Sequence, residues 1–475
     1  MKTSKMYNKQ SSIRHLMWIL VLLAISACGS FSLQDKLKLI AEDGVVTKEE
    51  FEKLKASLPE EDKFAALRKD SVLTAYMRKY YALKNLNVAL PAGPVQRIAP
   101  FDVNVYFENS ASMDGYIGQA DMKSSVYDLL VNTKQFSRIL KLNYINSKVM
   151  AIPSADIGSF SQTLTQKSFK AMGGKRGTSD IAAVIREVLN RTDANNASIL
   201  ISDFVFSPSA KTNAVSYLEM QQVAIKDAII EQLHKQNFAI AVFQLKADFS
   251  GIYYDYKSKE IKLHQVPRPY YIWFIGTVAQ VSQALKKHMV SETDNGLIHN
   301  AVFFKSDAPA VPRYKIVNIG RVGSFKFEKS DHISNVKALK GDFAFNIAVD
   351  FNSSLKGQDY FSNPDIYRVN NISYSLSVRK LSPAELNSAA LSGYSHLITL
   401  RTKRPQSGQL LISVMDKIPQ WVKDCNSLDD SAILTDVAEQ SRTFGLSHLL
   451  NGVYQAFGQS GNEPKINEIK IKMDK

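Results

Sequence analysis

The stretch Val103-Asn104-Val105-Tyr106-Phe107-Glu108-Asn109-Ser110-Ala111-Ser112-Met113 decides the fold. Its first five residues form a compact, β-favouring run. The rest is a polar loop carrying one carboxylate and two hydroxyls. A helical segment follows over about 124–142, and this strand-then-helix order recurs along the chain. Residues 148–152 read as a strand, and 179–189 as a helix with Asp180 in its first turn. Residues 197–206 are nearly all apolar, the pattern of a strand covered on both faces. A long helix over about 213–236 sets Ile225, Ile229, Ile230 and Leu233 on one face. Residues 238–245 and 270–275 read as two more buried strands, the second followed by a helix to about 288. This alternation predicts an α/β fold: a doubly wound, mostly parallel sheet with helices on both faces. Ligands of such sheets bind at the carboxyl ends of the strands.

Those ends carry the one constellation that suggests chemistry. Glu108, Ser110 and Ser112 follow the first strand. A glycine-containing loop, Gly173-Gly174-Lys175-Arg176-Gly177, leads into Thr178-Ser179-Asp180 at a helix start, and a later strand ends in Ser202-Asp203. Three loops thus offer two carboxylates and three hydroxyls, an all-oxygen set of the kind hard divalent cations take. The arrangement resembles the von Willebrand factor A (vWA) family over residues 101–290. That family places Asp-x-Ser-x-Ser after its first strand, a Thr in a later glycine-rich loop and an Asp after the next central strand. The resemblance implies a vWA/Rossmann-like fold and a metal-ion-dependent adhesion site formed by Glu108, Ser110, Ser112, Thr178 and Asp203, with Mg²⁺ or another divalent cation as cofactor. Two departures matter. Glu108 stands where the family has Asp, and Ala111 where it usually has Gly. In a metal-free reading, Ser110 and Ser112 satisfy backbone groups in a tight loop, and Thr178 caps its helix.

The first residues read as an address. Lys2, Lys5, Lys9 and Arg14 precede an apolar run of 12 residues, 16–27, that ends in Ile25-Ser26-Ala27-Cys28. Such a run is too short to cross a bilayer, which takes about 20 residues. It fits the apolar region of a signal peptide, and its end resembles a bacterial lipobox. The resemblance implies acylation at Cys28, and hence a lipoprotein held to a membrane of the cell envelope. Gly29 favours the outer membrane. Acyl chains contribute about 0.8 kcal/mol per buried methylene, so two or three anchor a protein stably. The formal charge of +14 falls to +10 without residues 1–27, which carry four positive and no negative charges. A basic balance alone is weak evidence of partner, and a lipid anchor argues against nucleic acid.

Outward from the core stretch, residues 28–95 read as a lipid-anchored helical spacer. Thr47 and Glu50 have capping-box spacing, and Leu90-Pro91-Ala92-Gly93-Pro94 marks a boundary. A faint calcium-loop look around Gly44 fails at its ligands, which would begin at Leu39 and Ala41. The vWA-like domain spans 96–292. Residues 293–475 read as a β-rich, sandwich-like domain that closes with an amphipathic helix bearing Leu446, Leu449, Leu450, Val453 and Phe457. Within it Phe345, Ile347 and Val349 alternate with less apolar residues, the half-buried strand signal.

Other chemistries have little support. With two cysteines, no disulfide framework or Cys-rich metal cluster exists, and Cys425 reads as a small buried hydrophobe. The phosphate-loop spacing, the GxSxG elbow and the HExxH motif are absent. The leading expectation is a binding protein that takes a protein partner through a degenerate adhesion site. A metal-assisted hydrolase at the same site and a metal-free scaffold are the alternatives, so enzymatic activity stays open.

Overall fold

The computed structural model describes residues 32–41, 46, 48–84, 100–152, 157–177, 180–208, 212–286, 298–306, 311–352, 354, 356, 358–388, 390–458 and 465–475. The expected signal peptide with Cys28, the expected turn at Gly44, Thr47, the expected 90–94 boundary, Thr178 and Ser179 lie outside these residues. Two units are distinguished, up to Arg97 and from Ile98 onward.

The first unit is helical. Helices α1 (Leu33–Leu39), α2 (Lys48–Ala56) and α3 (Asp70–Leu83) bury Leu37, Phe51, Leu54, Leu73 and Met77 against one another. The Tyr81 hydroxyl donates to the Leu37 carbonyl at 2.9 Å, tying α3 to α1. Among the described residues no helix is long and apolar enough to cross a membrane.

The second unit is built on a seven-stranded sheet of order β3-β2-β1-β4-β6-β5-β7. Its strands are β1 (Asp102–Glu108), β2 (Leu140–Ile145), β3 (Val149–Ala151), β4 (Asn196–Ser202), β5 (Phe238–Tyr254), β6 (Glu260–Thr277) and β7 (Ile298–Lys305). Strand β1 lies parallel to β2 and to β4. All the other pairings are antiparallel, so the sheet is mixed, with a three-stranded parallel core. The mostly parallel expectation fails for a topological reason. Residues 238–254 and 260–277 are the arms of one long hairpin, not strands joined by a helix. Asp255 closes it by accepting the Lys257 and Lys259 amides at 2.9 and 2.8 Å.

Alternation along the central strands serves two cores. Val105, Phe107, Ile199, Ile201 and Phe274 face one side, covered by Met122, Val126 and Leu129 of helix α4 (Ala120–Lys134). Tyr106, Leu200, Ile240, Val242 and Trp273 face the other. There they meet Ile181, Ile185 and Val188 of α5 (Ile181–Asn190), and Leu218, Ile225 and Ile229 of α6 (Ala214–Lys235). Helix α8 (Leu446–Phe457) joins this second core through Leu446, Leu449, Leu450 and Val453. A further helix, α7 (Val278–Lys286), follows β6. Helix α8 and β7 therefore belong to the sheet region, where the sequence reading set both beyond residue 292. A side chain at Gly452 would sit 2.7 Å from the Gln222 carbonyl, so close packing of α8 on α6 uses this glycine.

The remaining strands form a sandwich. One sheet has the order β13-β14-β11-β8, the other β12-β15-β18-β10-β9. The strands are β8 (Arg313–Val322), β9 (Ser324–Lys329), β10 (His332–Lys337), β11 (Phe343–Asp350), β12 (Tyr367–Val369), β13 (Ser375–Lys380), β14 (His396–Thr402), β15 (Gly408–Met415) and β18 (Lys465–Met473), with the two-residue β16 (Asn426–Ser427) and β17 (Thr443–Phe444) pairing separately. Phe345, Ile347, Ile398 and Leu400 of one sheet pack on Ile412, Val414, Ile469 and Ile471 of the other. The described chain thus ends in a strand rather than in the amphipathic helix, because residues 465–473 supply the strand beside β15.

Candidate functional site

Strands β1 and β4 are adjacent and parallel, so their carboxyl ends open side by side. Glu108 ends β1 and Ser202 ends β4. Glu108, Ser110, Ser112 and Asp203 are all buried, none more than 6% exposed. Ser110 Oγ and Ser112 Oγ are hydrogen-bonded at 2.9 Å. Ser112 Oγ donates to Asp203 Oδ1 at 3.2 Å, and Ser202 Oγ donates to the Glu108 carboxylate. Four of the five residues singled out in the sequence therefore meet at one place. The fifth, Thr178, lies outside the described residues. The helix it precedes is capped by Asp180, whose Oδ1 accepts the Ala183 amide at 3.0 Å.

The backbone around these groups is held from several directions. Arg176 Nε donates to the Asn109 carbonyl at 3.0 Å, and its Nη2 to the Ser110 carbonyl at 3.3 Å and to the Asp114 carboxylate. The Arg176 carbonyl accepts the Ala111 amide at 2.9 Å. Asn109 Nδ2 reaches the Phe169 carbonyl at 2.9 Å. After β4 the chain turns through Phe204, a non-glycine residue at φ +50°. Backbone strain of this kind costs of order 1–3 kcal/mol and persists where surroundings over-determine it. Here Phe204 stacks on Trp273 with ring centres 4.9 Å apart, and its amide donates to Ser202 Oγ at 2.8 Å.

Electrostatics set the protonation of the cluster. Burial, together with the charge of Glu108, pushes the Asp203 carboxyl up to about 7, against hydrogen bonds from the Val205 amide and the Ser112 hydroxyl. Two carboxylates this close in a dry site resist joint ionisation. Arg268 also acts on Asp203, lowering its affinity for the proton. This arginine is 1% exposed and lies 4.4 Å from the Tyr253 ring centre. Its Nη1 donates to the carbonyls of Glu439 and Gln440 at 3.4 and 3.3 Å. The Tyr253 hydroxyl donates to Asp430.

A divalent cation fits this set by donor chemistry. Glu108, Ser110, Ser112 and Asp203 present only oxygens, and a cation would offset both the burial and the Glu108 repulsion that raise Asp203. Among the described residues no three His, Cys, Asp or Glu side chains form a metal-binding group; this set depends on hydroxyls instead. The sequence reading missed Ser202, Arg176 and Arg268. Ser202 was visible beside Asp203, and its hydroxyl now engages Glu108. Arg268, flanked by Pro267 and Pro269, carries no local sign of burial. No family model, curated protein or solved structure matches the chain.

Proposed function

We propose that the chain is a cell-envelope lipoprotein, anchored through acylated Cys28, whose vWA-like domain binds a protein partner at the carboxyl ends of β1 and β4. In this reading Glu108, Ser110, Ser112 and Asp203, joined by Thr178, hold a divalent cation. The cation when bound supplies a Lewis-acidic position that accepts a carboxylate from the partner. The chain's own residues hold the site together: Arg176 ties down the loop after β1, and the Val205 amide, donating to Asp203 Oδ1 at 3.2 Å, holds the Asp203 carboxyl. The observation that carries the proposal is the hydrogen-bonded series Ser110–Ser112–Asp203, beside a second buried carboxylate at Glu108.

A metal-free scaffold is the second reading, favoured by the same bonds. Ser112 already donates to Asp203, and Ser202 to Glu108, so the groups can satisfy one another. Thermal unfolding separates the two. A ligand that binds only the folded state stabilises it by about 2.7 kcal/mol at a hundredfold excess over Kd. Millimolar Mg²⁺ or Mn²⁺ is expected to raise the melting temperature of the wild type and leave Asp203→Ala unmoved. An unchanged wild-type melting temperature rejects the cation and leaves the scaffold.

A further inference from the structure

The hairpin of β5 and β6 runs past the carboxyl ends of β1 and β4. Ile201 of β4 pairs with Ile272 of β6, and Ser202 with Tyr271. Tyr270, Pro269 and Arg268 continue β6 beyond them, against Leu245, Lys246 and Ala247 of β5. Successive strand residues face opposite sides of a sheet. Ile201, Ile272, Tyr270 and Ala247 all belong to the first core, so Arg268, the partner of Ala247, lies on that face. Asp203 is drawn to the same side: its amide donates to the sulfur of Met113, a residue of the same core, at 3.2 Å. One face of the sheet thus carries both the guanidinium and the Asp203 carboxyl just past the strand ends.

Arg268 is a charge held inside the protein. It is 1% exposed, and arginine does not give up its proton in proteins. Nη1 is used on the Glu439 and Gln440 carbonyls, while Nε and Nη2 are buried without a hydrogen-bond partner. Burial works against the charge, and the acidic groups Tyr253, Tyr116, Asp203 and Asp430 work for it. Three of these four are engaged elsewhere. The Tyr116 hydroxyl donates to the Pro269 carbonyl at 2.7 Å. Tyr253 donates to Asp430, which also accepts the Tyr256 amide at 2.8 Å. A charge in a dry interior acts more strongly on its neighbours than it would in water. The fourth group, Asp203, is the one that a bound cation would also use.

We infer that Arg268 sets the cation affinity of the cluster: its guanidinium competes with a bound ion for the Asp203 carboxylate and keeps that affinity low. This rests on the cation reading of Glu108, Ser110, Ser112 and Asp203. Buried as it is, Arg268 meets no partner and acts only through its field at Asp203, as a positioning residue. Repulsion between fixed charges grows with the charge of the ion, so Arg268 penalises a trivalent ion more than a divalent one.

The test uses the full-length chain, with Mn²⁺ binding read by calorimetry and Tb³⁺ binding by luminescence. Wild type is compared with Arg268→Gln, whose amide can still donate to the Glu439 and Gln440 carbonyls, and with Arg268→Lys, which keeps the charge. Wild type is expected to bind Mn²⁺ only in the millimolar range. Arg268→Gln should bind it at least tenfold more tightly, with a larger gain for Tb³⁺, and adding Asp203→Asn should abolish the gain. Arg268→Lys should stay close to wild type. A merely structural role would lower the stability of Arg268→Gln without raising its affinity for either ion. Equal affinity in wild type and Arg268→Gln overturns the inference and leaves the cation site standing; a gain in Arg268→Lys equal to that in Arg268→Gln overturns it as well. Silence of wild type with binding by Arg268→Gln upholds the inference and shows that the native site excludes the ion. Silence of both overturns the inference together with the cation site. Submicromolar Mn²⁺ binding by wild type overturns it without any variant, and so decides even where a substitution prevents folding.

Discussion

Ser112 Oγ donates to Asp203 Oδ1 at 3.2 Å across 91 residues of sequence. This single bond joins the loop after β1 to the loop after β4. It forms because the two strands are parallel neighbours whose ends reach the same level: Phe107 pairs with Ile201. Parallel neighbours need a crossover, and here helices α4 and α5 lie in the intervening chain. Their packing on the sheet thus brings together a hydroxyl and a carboxylate that no local motif connects.

The first prediction concerns pH. Asp203 holds its proton to about pH 7 when folded and to about pH 3.9 when unfolded. Between these values the folded chain binds more protons than the unfolded one. Stability is therefore greatest below about pH 4 as far as this group is concerned, and falls as pH rises through 7. The slope approaches about 1.4 kcal/mol per pH unit, and the proton belongs to the Glu108–Asp203 pair as a whole. Urea unfolding of wild type and Asp203→Asn from pH 4.5 to 8 checks this. The variant should lose that slope; parallel curves would reject the assignment.

The second prediction concerns the helical turn Asp114–Ile117, which carries the Arg176 partner Asp114. A Cβ on Gly115 would fall 2.3 Å from the Phe249 ring, and Phe249 is buried against Tyr116 with ring centres 5.0 Å apart. Overpacking of this kind typically costs about 1–3 kcal/mol. Gly115→Ala should lower stability by that amount, and Phe249→Leu in the same chain should recover part of the loss. Additive effects in the double-mutant cycle would show that the two positions do not meet.

What the sequence made legible follows from periodicity. The runs at 103–107 and 197–206 announced β1 and β4, and the loops after them announced Ser110, Ser112 and Asp203 as neighbours. The long hairpin was half hidden. Residues 246–269 include Pro267 and Pro269, which lack the amide that a ladder uses, so only 238–245 and 270–275 stood out as strands. The terminal strand had a readable signal in Ile469, Ile471 and Met473, which alternate with Lys470 and Lys472 and are all buried. The helix at Leu446 drew attention away from it. Burial of Arg268 was not readable at all, because it depends on Tyr253 and on the carbonyls of Glu439 and Gln440, distant in sequence.

The third prediction tests the limits of the sheet region. A fragment covering 98–291 keeps α4, α5 and α6 but lacks β7 and α8. It would leave Ile225 and Ile240 without the partners that α8 and β7 supply. Such a fragment should aggregate, whereas 98–475 should be soluble with mixed α/β circular dichroism. A soluble, cooperatively unfolding 98–291 fragment would show that α8 is dispensable to the core.

The fourth prediction concerns the anchor. Cys28→Ala should abolish incorporation of a fatty-acid analogue and release the protein from membranes, while leaving the melting of the second unit unchanged. Equal labelling of wild type and variant would remove the lipoprotein from the proposal without touching the site.

The last prediction isolates Glu108, one of the two departures from the vWA pattern that the sequence resembles. Glu108 is fully buried, and its carboxylate accepts from Ser202 Oγ. Aspartate is one methylene shorter. Glu108→Asp draws the carboxylate back toward β1, lengthens or breaks its bond with Ser202 and opens space beside Ser110 and Asp203. Loss of a hydrogen bond to a charged acceptor costs about 1.5–3 kcal/mol, so without a divalent ion the variant should be less stable than wild type. With the ion the order changes. If Glu108 crowds an otherwise competent site, Glu108→Asp should bind Mg²⁺ or Mn²⁺ more tightly in calorimetry and regain its stability as the ion is added. A variant that is destabilised and shows no heat of binding assigns Glu108 to holding Ser202 in place. If wild type is silent as well, the cluster is a strut between β1 and β4, and the partner surface must be sought elsewhere.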